Sequence, residues 1–221
     1  MKRTSVIIVA AGEGKRFGSL KQFSLLKGKP VLDWTLDKFE HHERIEEIVL
    51  VLKNAEQKKR QYLKYTKISG IVEGGEKRQD SVMNGFDVVS LGKAEIVLVH
   101  DAVRPLVTKD IISGVIEVAS EKGAAIPVLP VDDTVKQVSE GKVMRTIMRR
   151  NLFRVQTPQG FSYTLLRKAL KKAKEAGFYG TDEASLVERI GGKVYTVEGS
   201  RWNLKITTLE DLEVAEALIE G

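Results

Sequence analysis

The stretch that most restricts the fold is Ser5 to Gln22, where a short apolar run, Val6 to Ala10, empties into a glycine-punctuated, cationic loop. A β-branched run of this kind reads as a strand buried on both faces, as in a parallel sheet covered by helices. Ala10, Ala11, Gly12 and Gly14 are small enough for a ligand to lie against the backbone, leaving N–H groups for phosphate oxygens. Arg16 then adds a forked donor and Lys21 a point charge. The pattern is equally open to an ordinary strand-to-helix turn carrying solvated lysines.

Spacing removes two commoner phosphate loops. The dinucleotide fingerprint needs a glycine at its sixth place, and counting from Gly12 that place is Phe17; its acid at the end of the second strand is also missing, because that strand runs out at Lys53. No Gly-Lys-Ser or Gly-Lys-Thr occurs, which removes the nucleoside triphosphatase loop. The chain has 221 residues and is 42% hydrophobic, enough for one well-packed α/β domain spanning 1–221. Its formal charge of +6 favours a polyanionic ligand. Nucleic acid is not expected, because the basic residues are mixed with acids along helices, as on solvated faces. With no cysteine, disulfides, thiolate catalysis and cysteine-based zinc sites are excluded, and three histidines give no multi-histidine metal site. The N-terminus leads straight into a strand too short for a signal peptide or membrane span, so no membrane partner and a cytoplasmic location are expected.

Apolar spacing then predicts a helix from Pro30, with proline at the first helical position, a buried strand over 45–52 and a charged helix from Ala55 to Tyr65. A third strand, 68–72, ends in a second glycine loop, Gly74-Gly75-Glu76, before a helix through Met83, Phe86 and Val89. Glycine loops at the carboxyl ends of strands matter, since open α/β sheets bind ligands there. The strand from Glu95 stops in a charged corner at His100, Asp101 and Arg104. One carboxylate plus substrate phosphates suits Mg²⁺, which keeps several waters, so Asp101 is the candidate metal ligand; capping the next helix or pairing with Arg104 are the alternatives. His100 reads as a packed histidine without a catalytic role.

A helix over 110–122 and a strand over 124–128 follow, and then the pattern changes. Val131–Val138 and Lys142–Arg149 alternate around Ser139-Glu-Gly141, a hairpin signal in an otherwise strand–helix chain. A lone two-stranded hairpin is marginal in water, so this segment, 131–155, is expected to protrude as an arm that packs on a second subunit in a homodimer. Thr157-Pro-Gln-Gly-Phe closes the arm, Ser162–Ala176 reads as a helix, and Thr181 as the cap of another. A strand at 193–197 and a last helix beyond Lys205 complete a three-layer, mostly parallel α/β sheet with the hairpin as its only excursion.

Taken in order, these loops resemble one family. A-A-G-x-G-x-R at 10–16, Lys-Gln at 21–22, Gly-Lys-Pro at 28–30, Gly-Gly-x-x-Arg-x-x-Ser-Val at 74–82 and His-Asp-Ala-x-Arg-Pro at 100–105 are followed by Asp-Thr-Val-Lys at 133–136, Thr-Pro-Gln at 157–159 and Asn-Leu-Lys-Ile-Thr at 203–207. The pattern is similar to the 2-C-methyl-D-erythritol 4-phosphate cytidylyltransferases of non-mevalonate isoprenoid synthesis, across essentially the whole chain.

The resemblance implies a Rossmann-like nucleotidyltransferase joining CTP to a polyol phosphate, methylerythritol phosphate, with Mg²⁺ and with release of pyrophosphate. Arg16 and Lys21 match the residues that stabilise the transition state at the α-phosphate. Ala10, Ala11, Gly12, Gly14, Gly75, Glu76, Ser81, Asp101 and Ala102 match nucleotide-binding positions, with Gly75 and Ser81 beside the cytosine. Thr134, Arg149 and Lys205 match positions holding the acceptor phosphate, the arm residues reaching the neighbouring subunit's site. Arg149 is preferred to Arg150 for its spacing before Thr157. Phe17, Val103 and Phe153 depart from the usual Met, Ala and Trp but stay apolar. Ribitol-5-phosphate cytidylyltransferase shares the nucleotide loops and differs around Thr134, Arg149 and Lys205. A non-catalytic RNA-binding module is a rival from another class, but the aromatic residues follow apolar patterns instead of lining a basic face.

Overall fold

The computed structural model describes residues 2–14, 17, 20–89 and 94–220. In chain order the elements are β1 (Thr4–Val9), β2 (Leu25–Leu26), β3 (Lys29–Pro30), α1 (Val31–Glu40), β4 (Ile45–Leu52), α2 (Ala55–Lys58), β5 (Ile68–Glu73), α3 (Arg78–Val88), β6 (Ile96–Asp101), α4 (Lys109–Lys122) and β7 (Ala124–Pro130). They continue with β8 (Val135–Ser139), β9 (Lys142–Ile147), β10 (Phe153–Val155), β11 (Gln159–Ser162), α5 (Tyr163–Glu175), α6 (Glu183–Arg189), β12 (Tyr195–Glu198) and α7 (Leu209–Glu220).

β1 lies mid-sheet, parallel to β4 on one side and to β6 on the other, and β5 extends the sheet beyond β4. Successive β1 side chains point to opposite faces, and both faces are covered: Val6 and Ile8 pack with Leu32, Leu36 and Phe39 of α1 and Ile112 of α4, whereas Ile7 packs with Val82 and Phe86 of α3 and Leu166 of α5. This is the three-layer arrangement that unbroken β-branched strands require. Because the chain leaves β1 for β4 and later crosses to β6, the carboxyl ends of β1 and β6 flank a topological switch point, and Val9 is paired there with Asp101.

Several elements differ from the sequence reading. β11 runs antiparallel between β6 and β7, and β10 also pairs antiparallel with β7, so the hairpin is not the only excursion from parallel order. β11 has only four residues and contains Gly160, so it carries no strand pattern of its own. Of the expected arm, β8 and β9 form a separate two-stranded sheet, with Glu140 and Gly141 at positive φ in the two-residue turn, while Phe153–Val155 belongs to the main sheet.

The expected helix over 55–65 is one short α-helix followed by a 3₁₀ turn at Lys59–Tyr62, because Tyr62 and Tyr65 turn inward onto the core. Pro30 is the cap of α1 instead of its first residue, since it already pairs with Leu25. Asp182, not Thr181, caps α6: its carboxylate accepts from the Ser185 N–H at 2.9 Å. The last strand is displaced to Tyr195–Glu198, its register set by pairing with β7.

Candidate active site

The carboxyl ends of β1, β5 and β6 open onto a cavity of about 750 Å³. The first glycine loop forms one wall through Ala10, Ala11 and Gly12, with Lys21 and Gln22 beside it. The second loop supplies Gly75, Glu76 and Ser81, and the corner after β6 supplies Asp101 and Ala102, with Lys205 reaching in from the segment before α7. A larger hollow of about 900 Å³ between Trp34 and Trp202 gathers none of the expected residues.

Local chemistry explains how each wall is held. The buried Gln22 amide donates to the Ala10 carbonyl at 2.8 Å and the Gly12 carbonyl at 3.0 Å, so the first loop is pinned from beneath. In the second loop the Gly75 N–H donates to Ser81 Oγ at 3.0 Å, and Ser81 Oγ donates to the Lys77 carbonyl. A Cβ at residue 75 would lie 2.2 Å from Asp80 Cβ and 2.9 Å from the Asp80 carbonyl carbon, so only glycine lets this loop fold against the start of α3.

Asp101 is the electrostatic centre of the pocket. Its Oδ1 accepts from Arg78 Nε at 3.1 Å, and its Oδ2 lies 2.7 Å from Lys205 Nζ and 3.8 Å from Arg104 Nε. Burial opposes its charge, but Arg78, Lys205 and Arg104 outweigh that and hold the carboxyl far below the usual range. The alternative pairing with Arg104 is therefore present alongside two stronger partners. Helix α4 is capped by Thr108, not by Asp101. His100 is fully buried against Phe39, and burial pushes its imidazole down to about 3, so it is a neutral packed histidine.

The expected site residues divide accordingly. Lys21, Lys205, Asp101, Ala102 and the loop positions Ala10, Ala11, Gly12, Gly75, Glu76 and Ser81 converge on one cavity, while Gly14 follows the wall at φ +66° without lining it. Arg16 lies outside the described residues. Thr134 and Arg149 are exposed at the base of the hairpin and do not line this chain's pocket.

Sequence reasoning gave no role to Gln22, Arg78 or Glu183. Gln22 follows Lys21 in a recognisable motif, which marked the position but not its downward-facing bonds. Arg78 and Glu183 are far apart in sequence, and each reads alone as a surface charge. Among the described residues no cluster of three histidine, aspartate or glutamate side chains could hold a metal by itself.

The sheet order, the paired glycine loops and the cation-rich pocket at the switch point define an α/β nucleotidyltransferase. Residues 4–221 match the family model described as 2-C-methyl-D-erythritol 4-phosphate cytidylyltransferase, and the chain belongs to that family. A protein of that name from Bacillus cytotoxicus is 46% identical, the match covering 97% of each chain. One from Syntrophus aciditrophicus is 45% identical over 97% of this chain and 94% of its own. Among solved structures, the Francisella tularensis enzyme of the same name superposes with a TM-score of 0.86 at 36% identity, covering 98% of this chain and 99% of its own. The Thermus thermophilus enzyme gives 0.83 at 34% identity, over 97% and 98%.

Proposed function

We propose that this pocket joins CTP to 2-C-methyl-D-erythritol 4-phosphate, giving 4-diphosphocytidyl-2-C-methyl-D-erythritol and pyrophosphate. A phosphate oxygen of the acceptor attacks the α-phosphorus of CTP. A new P–O–P linkage forms as the bond from the α-phosphorus to the oxygen bridging to the β-phosphorus breaks, and pyrophosphate leaves with that electron pair. The second pKa of a phosphate monoester is about 6, so the nucleophile is largely dianionic at neutral pH and needs no general base.

The work left to the protein is to bring two polyanions together and to stabilise charge on the α-phosphoryl oxygens, by positioning and by fixed cations. The observation that carries the reading is the convergence of both glycine loops, Lys21 and the Asp101–Lys205 pair on one cavity. In this reading the backbone of the first loop holds the triphosphate, Arg16 and Lys21 act at the α-phosphate, and Gly75 and Ser81 border the base. Lys205 receives the acceptor phosphate.

Asp101 is the residue that would hold Mg²⁺. A single carboxylate suits an ion that arrives mainly coordinated by phosphate oxygens and water, and Mg²⁺ would supply neutralisation of triphosphate charge. The hairpin is assigned to a homodimer, in which Thr134 and Arg149 complete the partner's acceptor site. Exposed Val138, Val143, Met144 and Met148 support this, because an apolar ribbon with no core of its own needs a covering surface. The enzyme is placed in the cytoplasm with its nucleotide donor.

The test is pyrophosphate release from CTP with methylerythritol phosphate and Mg²⁺, run beside ribitol 5-phosphate. Turnover with the first acceptor and little with the second is the expected result. Preference for ribitol 5-phosphate would overturn the acceptor, and no turnover with either would overturn the reaction.

A further inference from the structure

Arg78 is shared between two carboxylates of different character. Its Nη1 donates to both oxygens of Glu183, at 2.8 and 2.9 Å, while its Nε donates to Asp101 Oδ1 at 3.1 Å. Glu183 is buried at 1% exposure in the first turn of α6, away from the cavity wall. That turn is rigidly built: Asp182 and Ser185 cap it reciprocally, and Gln159 of β11 accepts from the Ala184 N–H while donating to Asp182 at 2.7 Å. The fold thus sets a buried carboxyl group behind an arginine that lines the pocket; burial raises its pKa, and the paired Arg78 opposes that shift.

A guanidinium facing a lone carboxylate settles into two parallel N–H···O bonds, one to each oxygen. Asp101 receives one bond from Arg78, through Nε; Nη1, on the other side of the guanidinium, is fixed on Glu183 and so sets the orientation of the whole group, and Asp101 Oδ2 is left to Lys205 at 2.7 Å. We propose that Glu183 is a positioning residue for cytidylyl transfer: by holding Nη1 of Arg78 it fixes the guanidinium so that Nε alone meets Asp101, and Oδ2 is left to Lys205 on the pocket side. The proposal rests on reading Asp101 and Lys205 as parts of the transfer site. Without the Glu183 charge, Arg78 turns to grip both Asp101 oxygens, Lys205 loses its anchor, and the carboxylate no longer serves the pocket.

The test compares Glu183→Gln, Arg78→Lys and the double variant by kcat, by KM for CTP and for acceptor, by melting temperature, and by a crystal structure of Glu183→Gln. Glu183→Gln keeps the shape of the side chain and removes its charge; kcat is expected to fall about tenfold or more. A lysine at position 78 cannot grip two oxygens, so the double variant is expected to be more active than Glu183→Gln alone and close to Arg78→Lys. A purely structural role predicts compounding losses instead. If Glu183→Gln does not fold, the comparison of the double variant with Arg78→Lys decides: near equality supports the proposal, and a further tenfold loss overturns it.

In the crystal, two bonds from Arg78 to Asp101 with Lys205 displaced is the supporting result, and an unmoved Arg78 overturns the proposal whatever the acceptor proves to be. Absence of turnover in the unsubstituted enzyme counts against the assigned reaction only, and the crystal geometry still decides the role of Glu183.

Discussion

Lys205 Nζ stands 2.7 Å from Asp101 Oδ2, so the cation assigned to the acceptor phosphate is paired with the acid assigned to the nucleotide side. Both line the same cavity, Asp101 at the end of β6 and Lys205 in the chain just before α7. A charge-assisted bond to phosphate contributes about 1.5–3 kcal/mol, so Lys205→Ala is expected to raise KM for the acceptor roughly tenfold to a hundredfold. KM for CTP should move much less. Steady-state kinetics with each substrate varied in turn gives the comparison, and an unchanged acceptor KM would remove Lys205 from that role.

Lys21 lies on the cavity wall beside the first glycine loop. Its proposed contribution belongs to the transition state, where charge builds on the α-phosphoryl oxygens. Lys21→Ala is therefore expected to lower kcat about 10²-fold, by analogy with a lost oxyanion donor, with melting temperature nearly unchanged. Near-normal turnover in a folded Lys21→Ala enzyme would take it off the catalytic list.

Gln22 offers a separate handle on the same loop. Replacing it by leucine keeps the bulk but leaves the Ala10 and Gly12 carbonyls without their donor, a loss on the order of 1–3 kcal/mol for buried groups. The expected result is a lower melting temperature together with weaker CTP binding, measured by calorimetry. Weaker stability with unaltered CTP affinity would mean that the loop holds its shape without this pin.

What could be read in advance, and what could not, follows from the range of the interactions. The strands of the parallel sheet were legible because burial on both faces leaves an unbroken apolar run in the chain itself, and the loops at their ends followed. β11 was not, because Gln159–Ser162 becomes a strand only by lying between β6 and β7, a pairing that no local pattern records. The break in the expected helix over 55–65 is similarly tertiary, arising as Tyr62 and Tyr65 turn to the core. Asp101 could be placed because it ends an apolar strand, and Lys21 and Lys205 because they sit in the Lys-Gln and Asn-Leu-Lys-Ile-Thr motifs on which the family resemblance rests. The Arg78–Glu183 pair could not, since a buried ion pair formed across the fold looks, residue by residue, like two solvated charges.

His100 makes stability depend on pH. Burial pushes its imidazole down to about 3, whereas the unfolded chain takes up that proton near 6.5. Below about pH 6.5 the unfolded state therefore binds more protons than the folded state, so stability falls as pH falls, by at most about 1.4 kcal/mol per pH unit from this group. Burial lowers His42 as well, which adds in the same direction. Melting temperature is expected to drop between pH 7 and pH 5, and His100→Gln should flatten that slope. A slope identical in the variant would mean that other groups set it.

The assignment of the hairpin to a neighbouring pocket has a consequence that separates it from a merely structural appendage. If each site combines the glycine loops of one subunit with Thr134 and Arg149 of the other, then Lys21→Ala and Arg149→Ala damage opposite contributions to a site. A heterodimer of the two variants holds one site with both residues intact and one with neither. Unfolding and refolding an equal mixture gives about half heterodimers, and so about a quarter of the native sites, from two preparations that are each nearly inactive. Recovery to about that level is the expected outcome, read by pyrophosphate release, with light scattering giving a dimeric mass. A mixture no more active than its components, or a monomeric mass at micromolar concentration, would place the whole site within one chain and leave Arg149 on the exposed base of the hairpin without a catalytic partner.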